Sequence, residues 1–157
     1  MPVHNRFFLQ PDGKLNPNVL VSTGPLLSVK VSIPKELADL YTKEKKAIPA
    51  PKAGFALIDT GATRTGVDKS VITELGVQPV GIARTLTAGG EVEQNLFPAH
   101  FRFPGENINI DFSSVLGVNL TGHKVGKQSI IVLLGRDVLS RFLLVYNGPG
   151  GFFSISF

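Results

Sequence analysis

The chain has no cysteine, no tryptophan and a single methionine among its 157 residues. Without thiols there is no disulfide, no cysteine nucleophile and no cysteine-held metal. Histidine is scarce too: His4, His100 and His123 stand far apart and match no short zinc spacing, so neither a metal nor another cofactor is expected. No apolar run approaches the roughly 20 residues that cross a bilayer. The first ten residues lack the apolar stretch of a signal peptide, so the expectation is a cytoplasmic protein without membrane contact. The serine-hydrolase pattern Gly-x-Ser-x-Gly is missing. Asn119-Leu120-Thr121 has the form of a glycosylation sequon and reads as chance in an unsecreted chain. Charged residues make up only 18% of the chain, and the sixteen Lys and Arg behind its net charge of +4 are scattered. Only Lys43-Glu44-Lys45-Lys46 is locally basic, which suits the solvated end of a helix better than a nucleic-acid surface.

What is present is apolar and heavily punctuated. Hydrophobic residues make up 43% of the chain, with eleven Phe, which is too apolar for disorder. The length suits one compact domain. Seventeen Gly and eleven Pro fall between short runs of Val, Ile, Leu and Phe, the pattern of an all-β domain. Residues 26–33 read as a strand with Leu27, Val29, Val31 and Ile33 on one face. Pro34 suits the first turn of a short helix over 35–46, which carries Leu37, Leu40 and Tyr41 at helical spacing. Further strands are expected at 54–58, 97–103, 108–116, 128–134, 143–146 and 152–157, with a short helix at 69–75 closed by Gly76. Residues 82–93 read as a hairpin with Ala88-Gly89-Gly90 at its tip. The first 24 residues form a separate arm, or an extra strand pair of 7–9 and 18–22 around Pro11-Asp12-Gly13.

One short segment carries chemistry. The apolar run Phe55-Ala56-Leu57-Ile58 delivers Asp59-Thr60-Gly61-Ala62, a carboxylate on a tight turn at the end of a buried strand. A carboxylate there must be hydrogen-bonded, paired or used, because an unpaired buried charge is costly. Thr60 adds a hydroxyl, Gly61 permits close backbone approach, and Ala62 leaves space beside the acid. Such a turn suits water activation; the plainer alternative is an Asp that caps its own turn. Downstream, Ile130-Ile131-Val132-Leu133-Leu134 leads into Gly135-Arg136-Asp137-Val138-Leu139, an apolar strand followed by glycine and a short helix.

These two motifs, in this order, resemble the active-site loop and the later strand and helix of the retropepsin-like aspartic proteases. The resemblance runs from about residue 25 to residue 157 and implies a closed acid-protease β-barrel with one or two short helices. It assigns the catalytic carboxylate to Asp59 and support of the active-site loop to Thr60, Gly61 and Ala62. Leu133, Leu134 and Gly135 are implied to pack beneath that loop, with Arg136 buttressing it or the dimer through a carboxylate. Ala88, Gly89 and Gly90 correspond to a flap over an extended peptide, and residues 152–157 to a strand shared between two subunits. Many viral members carry an acid four positions after the catalytic Asp to meet the Arg; this chain has Thr63 there, which leaves Asp68 as the candidate partner.

Carboxylate hydrolysis of a peptide needs two acids sharing a proton, one to draw a proton from water and one to protonate the carbonyl oxygen. The chain has one Asp-Thr-Gly and no Asp-Ser-Gly, so a two-fold homodimer is expected, with one Asp59 from each subunit. Like charges at such range resist joint ionisation, which points to activity in mildly acidic solution. The expectation is thus an aspartic endopeptidase acting on peptides. The alternatives are a non-catalytic dimerisation or peptide-binding module on the same fold, and a β-rich domain of a larger assembly.

Overall fold

A computed structural model describes residues 2–10, 12–87 and 89–157. Strands β1 (Val3–Phe7), β2 (Leu26–Ser32), β3 (Lys52–Ile58), β4 (Gly66–Asp68), β5 (Gly81–Thr87), β6 (Gly90–Phe103) and β7 (Ile108–Val118) are followed by β8 (Lys124–Val125), β9 (Gln128–Leu134), β10 (Leu143–Asn147) and β11 (Phe152–Ser156). Among the described residues four short helices accompany them: α2 (Lys35–Lys43), α3 (Lys69–Glu74) and α4 (Arg136–Leu139) lie where helices were expected, and α1 (Pro17–Thr23) was not expected. No helix among the described residues is long and apolar enough to cross a membrane.

The larger sheet runs β2-β3-β9-β4-β7-β6-β5, and β2 also pairs with β6 through Lys30↔Arg102, Val31↔Phe101 and Ser32↔His100. Six strands therefore close on themselves as a barrel, while β5 continues outward as the second arm of the β5–β6 hairpin. Closure follows from alternation. Leu27, Val29, Val31 and Ile33 are all buried, as their spacing implies, and meet Phe97, Ala99, Phe101 and Phe103 of β6 in one core.

β3 and β9 differ from their neighbours in being apolar on both faces. Ala56 and Ile58 point into the main core, whereas Phe55 and Leu57 pack with Leu133 against a second cluster of Leu26, Leu120 and Ile130. The two strands run parallel, with Leu57↔Leu133 and Ile58↔Leu134 as their last pairs. Both chains consequently leave the barrel side by side, one into Asp59 and the other into Gly135.

The short β8 pairs off this path with β9, and β1, β11 and β10 form a second sheet in the order β1-β11-β10. Phe153 and Ile155 of β11 are fully buried in the main core. Both edges of β11 are filled by this chain's own β1 and β10, so the pairing expected between residues 152–157 of two subunits is not open to β11. Near the N-terminus, Leu9 bridges Leu15, but residues 17–23 are helical where a strand was expected over 18–22. Pro17 at the helix start fixes a helix-compatible φ, and Leu20 anchors the turn in the core at 0% exposure. Arg6 on β1 makes an ion pair with Glu106 in the β6–β7 turn, whose side chain is wholly buried.

Candidate active site

Asp59 extends the β3–β9 ladder by one bond, its N–H donating to the Leu134 carbonyl at 3.0 Å. The chain then turns back sharply. Oδ1 of Asp59 accepts the Gly61 N–H at 2.9 Å and the Ala62 N–H at 3.2 Å, so one carboxylate oxygen caps its own loop. Among the described residues no donor meets Oδ2, and Asp59 is only half-buried. Capping and availability coexist in one side chain: the first oxygen fixes the carboxylate's orientation and the second is left for a ligand or water.

The loop is held from below by the turn after β9. Arg136 N–H donates to the Ala62 carbonyl at 2.9 Å and Asp137 N–H to the Thr63 carbonyl at 3.2 Å. Thr65, with no exposure at all, locks the two segments together. Its hydroxyl donates to Asp137 Oδ1 at 2.7 Å and accepts the Gly135 N–H at 3.1 Å, while its backbone N–H reaches Asp137 Oδ2 at 2.9 Å. Gly135 is required by this contact. A Cβ there would lie 2.5 Å from the Arg64 carbonyl carbon and 2.8 Å from the Thr65 nitrogen.

Arg136 is exposed, and its Nη2 donates to Thr63 Oγ1 at 2.9 Å. Thr63 is thus its partner in place of a carboxylate. Asp68, the candidate partner in the sequence, is engaged elsewhere: it caps α3 through the Ser70 N–H at 2.8 Å and takes the Leu120 N–H at 2.8 Å. Asp137, which reads from sequence as a surface or capping residue, is the acid that clamps Thr65 and also accepts the Val138 N–H at 3.0 Å.

Above the loop lies a cleft of about 710 Å³. Asp59, Gly61 and Ala62 line it from the turn, Leu116, Val118 and Leu133 from the barrel, and Arg84, Thr85, Leu86 and Gln94 from the β5–β6 hairpin. Of the site residues proposed from sequence, Asp59, Gly61, Ala62 and Leu133 meet there, whereas Leu134 and Gly135 lie buried behind the loop and Thr60 is exposed. Ala88 lies outside the described residues. Gly90 pairs with Thr87 at the end of the hairpin with φ of 109°, a conformation suited to glycine. The hairpin lines the cleft with its arms: Thr85 Oγ1 donates to Gln94 Oε1 at 2.7 Å, and Leu86 is 86% exposed.

Sequence reasoning missed Thr65 and the roles of Arg64, Arg84 and Leu86. Nothing in the local sequence marks a threonine that bonds a partner 72 residues away. Among the described residues no group of three or more His, Asp or Glu side chains gathers as a metal ion would require.

No protein-family model matches this chain, and no curated protein does. Among solved structures it is similar to simian foamy virus (mac) protease, at 17% identity and a TM-score of 0.42 over 73% of this chain and 91% of that one. It is also similar to a retropepsin-like aspartic protease from Rickettsia conorii, at 15% identity and a TM-score of 0.43 over 98% and 91% of the two chains. A third similar structure is the retroviral protease-like domain of Ddi1 from Leishmania major, with 16% identity, a TM-score of 0.39 and coverage of 78% and 82%.

Proposed function

We propose that this protein is an aspartic endopeptidase, active as a two-fold homodimer in which each subunit supplies one Asp59. The observation that carries the reading is Asp59 itself. It is a carboxylate oriented by two backbone amides, with no donor to its other oxygen among the described residues, at the edge of a cleft lined in part by Leu116, Val118 and Leu133. In this reading residues 25–157 form the catalytic domain and residues 1–24 an N-terminal arm.

Two such carboxylates share one proton across the symmetry axis. The ionised one takes a proton from water as the water oxygen attacks the scissile carbonyl carbon, and the protonated one gives its proton to the carbonyl oxygen. Collapse of the tetrahedral intermediate breaks the C–N bond as the carboxyl that took the water proton gives it to the leaving nitrogen, and a hydroxyl of the intermediate returns its proton to the other carboxylate. Gly61 offers backbone groups to the peptide, Thr60 braces the loop across the axis, and the hairpin ending in Ala88, Gly89 and Gly90 covers the bound chain. Arg136 steadies the loop through Thr63. Because β11 is enclosed by β1 and β10, a partner strand that extended this sheet would add at the outer edge of β1 or of β10.

The test compares wild type with Asp59→Asn on a diverse peptide mixture at about pH 5, with products read by mass spectrometry. Asn keeps an Oδ1 to accept the Gly61 and Ala62 amides but has no proton to exchange. Cleavage by wild type alone is the expected result. Peptide binding by both proteins with cleavage by neither would instead favour the non-catalytic peptide-binding module.

A further inference from the structure

The cleft is charged in a way its proposed chemistry does not need. Its lining contains two arginines, Arg64 and Arg84, and one carboxylate, Asp59. The two arginines approach from different elements, Arg64 from the end of the active-site loop and Arg84 from β5 of the hairpin. Arg64 is half-buried, and its one protein partner among the described residues is neutral: Nη2 donates to Ser114 Oγ on β7 at 3.1 Å. A guanidinium has five N–H donors, so this bond orients the group and leaves most of its hydrogen-bonding capacity unused. Arg84 does have an acidic neighbour, its Nε lying 3.1 Å from Glu93 Oε1. Both side chains of that pair are largely exposed, at 70% and 60%, so it contributes little and exchanges readily for another carboxylate.

We propose that Arg64, assisted by Arg84, is a specificity determinant that selects peptides carrying an Asp or Glu side chain beside an apolar residue. The apolar part of the site is Leu116, Val118 and Leu133, with Leu86 over it from the hairpin. The acidic side chain belongs at a flanking position, because directly over the scissile bond it would face the negative charge of the Asp59 pair. At Arg64 the same carboxylate meets a cation already fixed by Ser114 and partly shielded from water, the setting in which charge-assisted, forked hydrogen bonds are strongest. The inference rests on the cleft being the peptide site, and its test separates the two.

The experiment uses the Asp59→Asn protein and labelled peptides with one apolar centre, in which Glu, Gln or Lys is placed in turn at each flanking position. Binding is followed by fluorescence anisotropy. At one flanking position the Glu peptide is expected to bind about tenfold more tightly than the Lys peptide, with Gln between them. Adding Arg64→Glu should reverse the order, Arg64→Gln should abolish it, and Arg84→Gln should reduce it. Equal affinities at every position, no binding of any peptide, or a Glu preference that survives both Arg64 variants would overturn the proposal. The Gln variant guards against misfolding by Glu, since it is neutral and keeps an amide donor. Wild-type protein on the same peptides tests the other reading: charge-selective binding without cleavage would remove the peptidase and leave this specificity standing.

Discussion

At the residue scale the site depends on two segments being allowed to touch. Gly135 has an ordinary negative φ of −86°, so its need for glycine is steric. A methyl group would press on the backbone of Arg64 and Thr65, which cannot rotate aside as a side-chain end does. Gly76 is the opposite case, with φ of 76° and nothing within 4 Å of a Cβ position. Gly135→Ala should therefore cost about 3 kcal/mol by overpacking, whereas Gly76→Ala should cost about 1 kcal/mol from the left-handed conformation alone. Urea unfolding midpoints measure both. The Gly135 variant should also lose peptide binding, because the displaced backbone belongs to the loop that carries Asp59. Equal costs would mean that the loop relaxes freely and that the Thr65–Asp137 clamp is not rigid.

At the scale of elements, β1 is fastened twice, by its antiparallel register with β11 from Val3↔Ser156 to Phe7↔Phe152 and by the Arg6–Glu106 pair. Among the described residues Glu106 Oε2 has no hydrogen-bond partner, so the glutamate depends on Arg6 for compensation of its charge. Arg6→Ala is expected to destabilise the fold by about 3 kcal/mol, since it leaves the buried Glu106 carboxylate without its cation. Combining it with Glu106→Leu should recover most of that loss, because no buried charge then remains. Urea denaturation of the single and double variants decides the point, and a double variant as unstable as Arg6→Ala would locate the effect in strand pairing. This pair was invisible in the sequence because its members lie 100 positions apart and neither has a local signature. Elements with their own periodicity and punctuation were legible. Residues 128–134 were expected as a strand and are β9, and the alternation of β2 gave its buried face. Residues 18–22 misled because a short apolar run is compatible with either period, and the core contact of Leu20 decided for helix. Within the site, the position of Asp59 followed from its apolar approach. The partner of Arg136 did not, because an acidic candidate at Asp68 is drawn off by the α3 N-terminus and the Leu120 amide.

At the scale of the whole molecule the decisive fact is that one chain brings one Asp59 to the cleft. In the proposed mechanism one Asp59 cannot be both the ionised and the protonated carboxylate, so activity should depend on two copies meeting rather than on each chain alone. That dependence can be read without a structure of the pair. If subunits exchange, mixing wild type with an equal amount of Asp59→Asn protein places about half of the wild-type chains in mixed dimers. These have one ionisable carboxylate at the axis and should be inactive, so the rate at a fixed wild-type concentration should fall to about half. It should fall further with excess variant, and dilution of wild type alone should lower its specific activity once dimers dissociate. A rate unchanged by any excess of the variant, measured after an incubation shown by differently labelled chains to allow exchange, would mean that each chain works alone. The second carboxylate would then have to come from the same chain. Asp68, which follows the loop, and Asp137, which clamps it through Thr65, are both already committed to backbone amides that hold the fold.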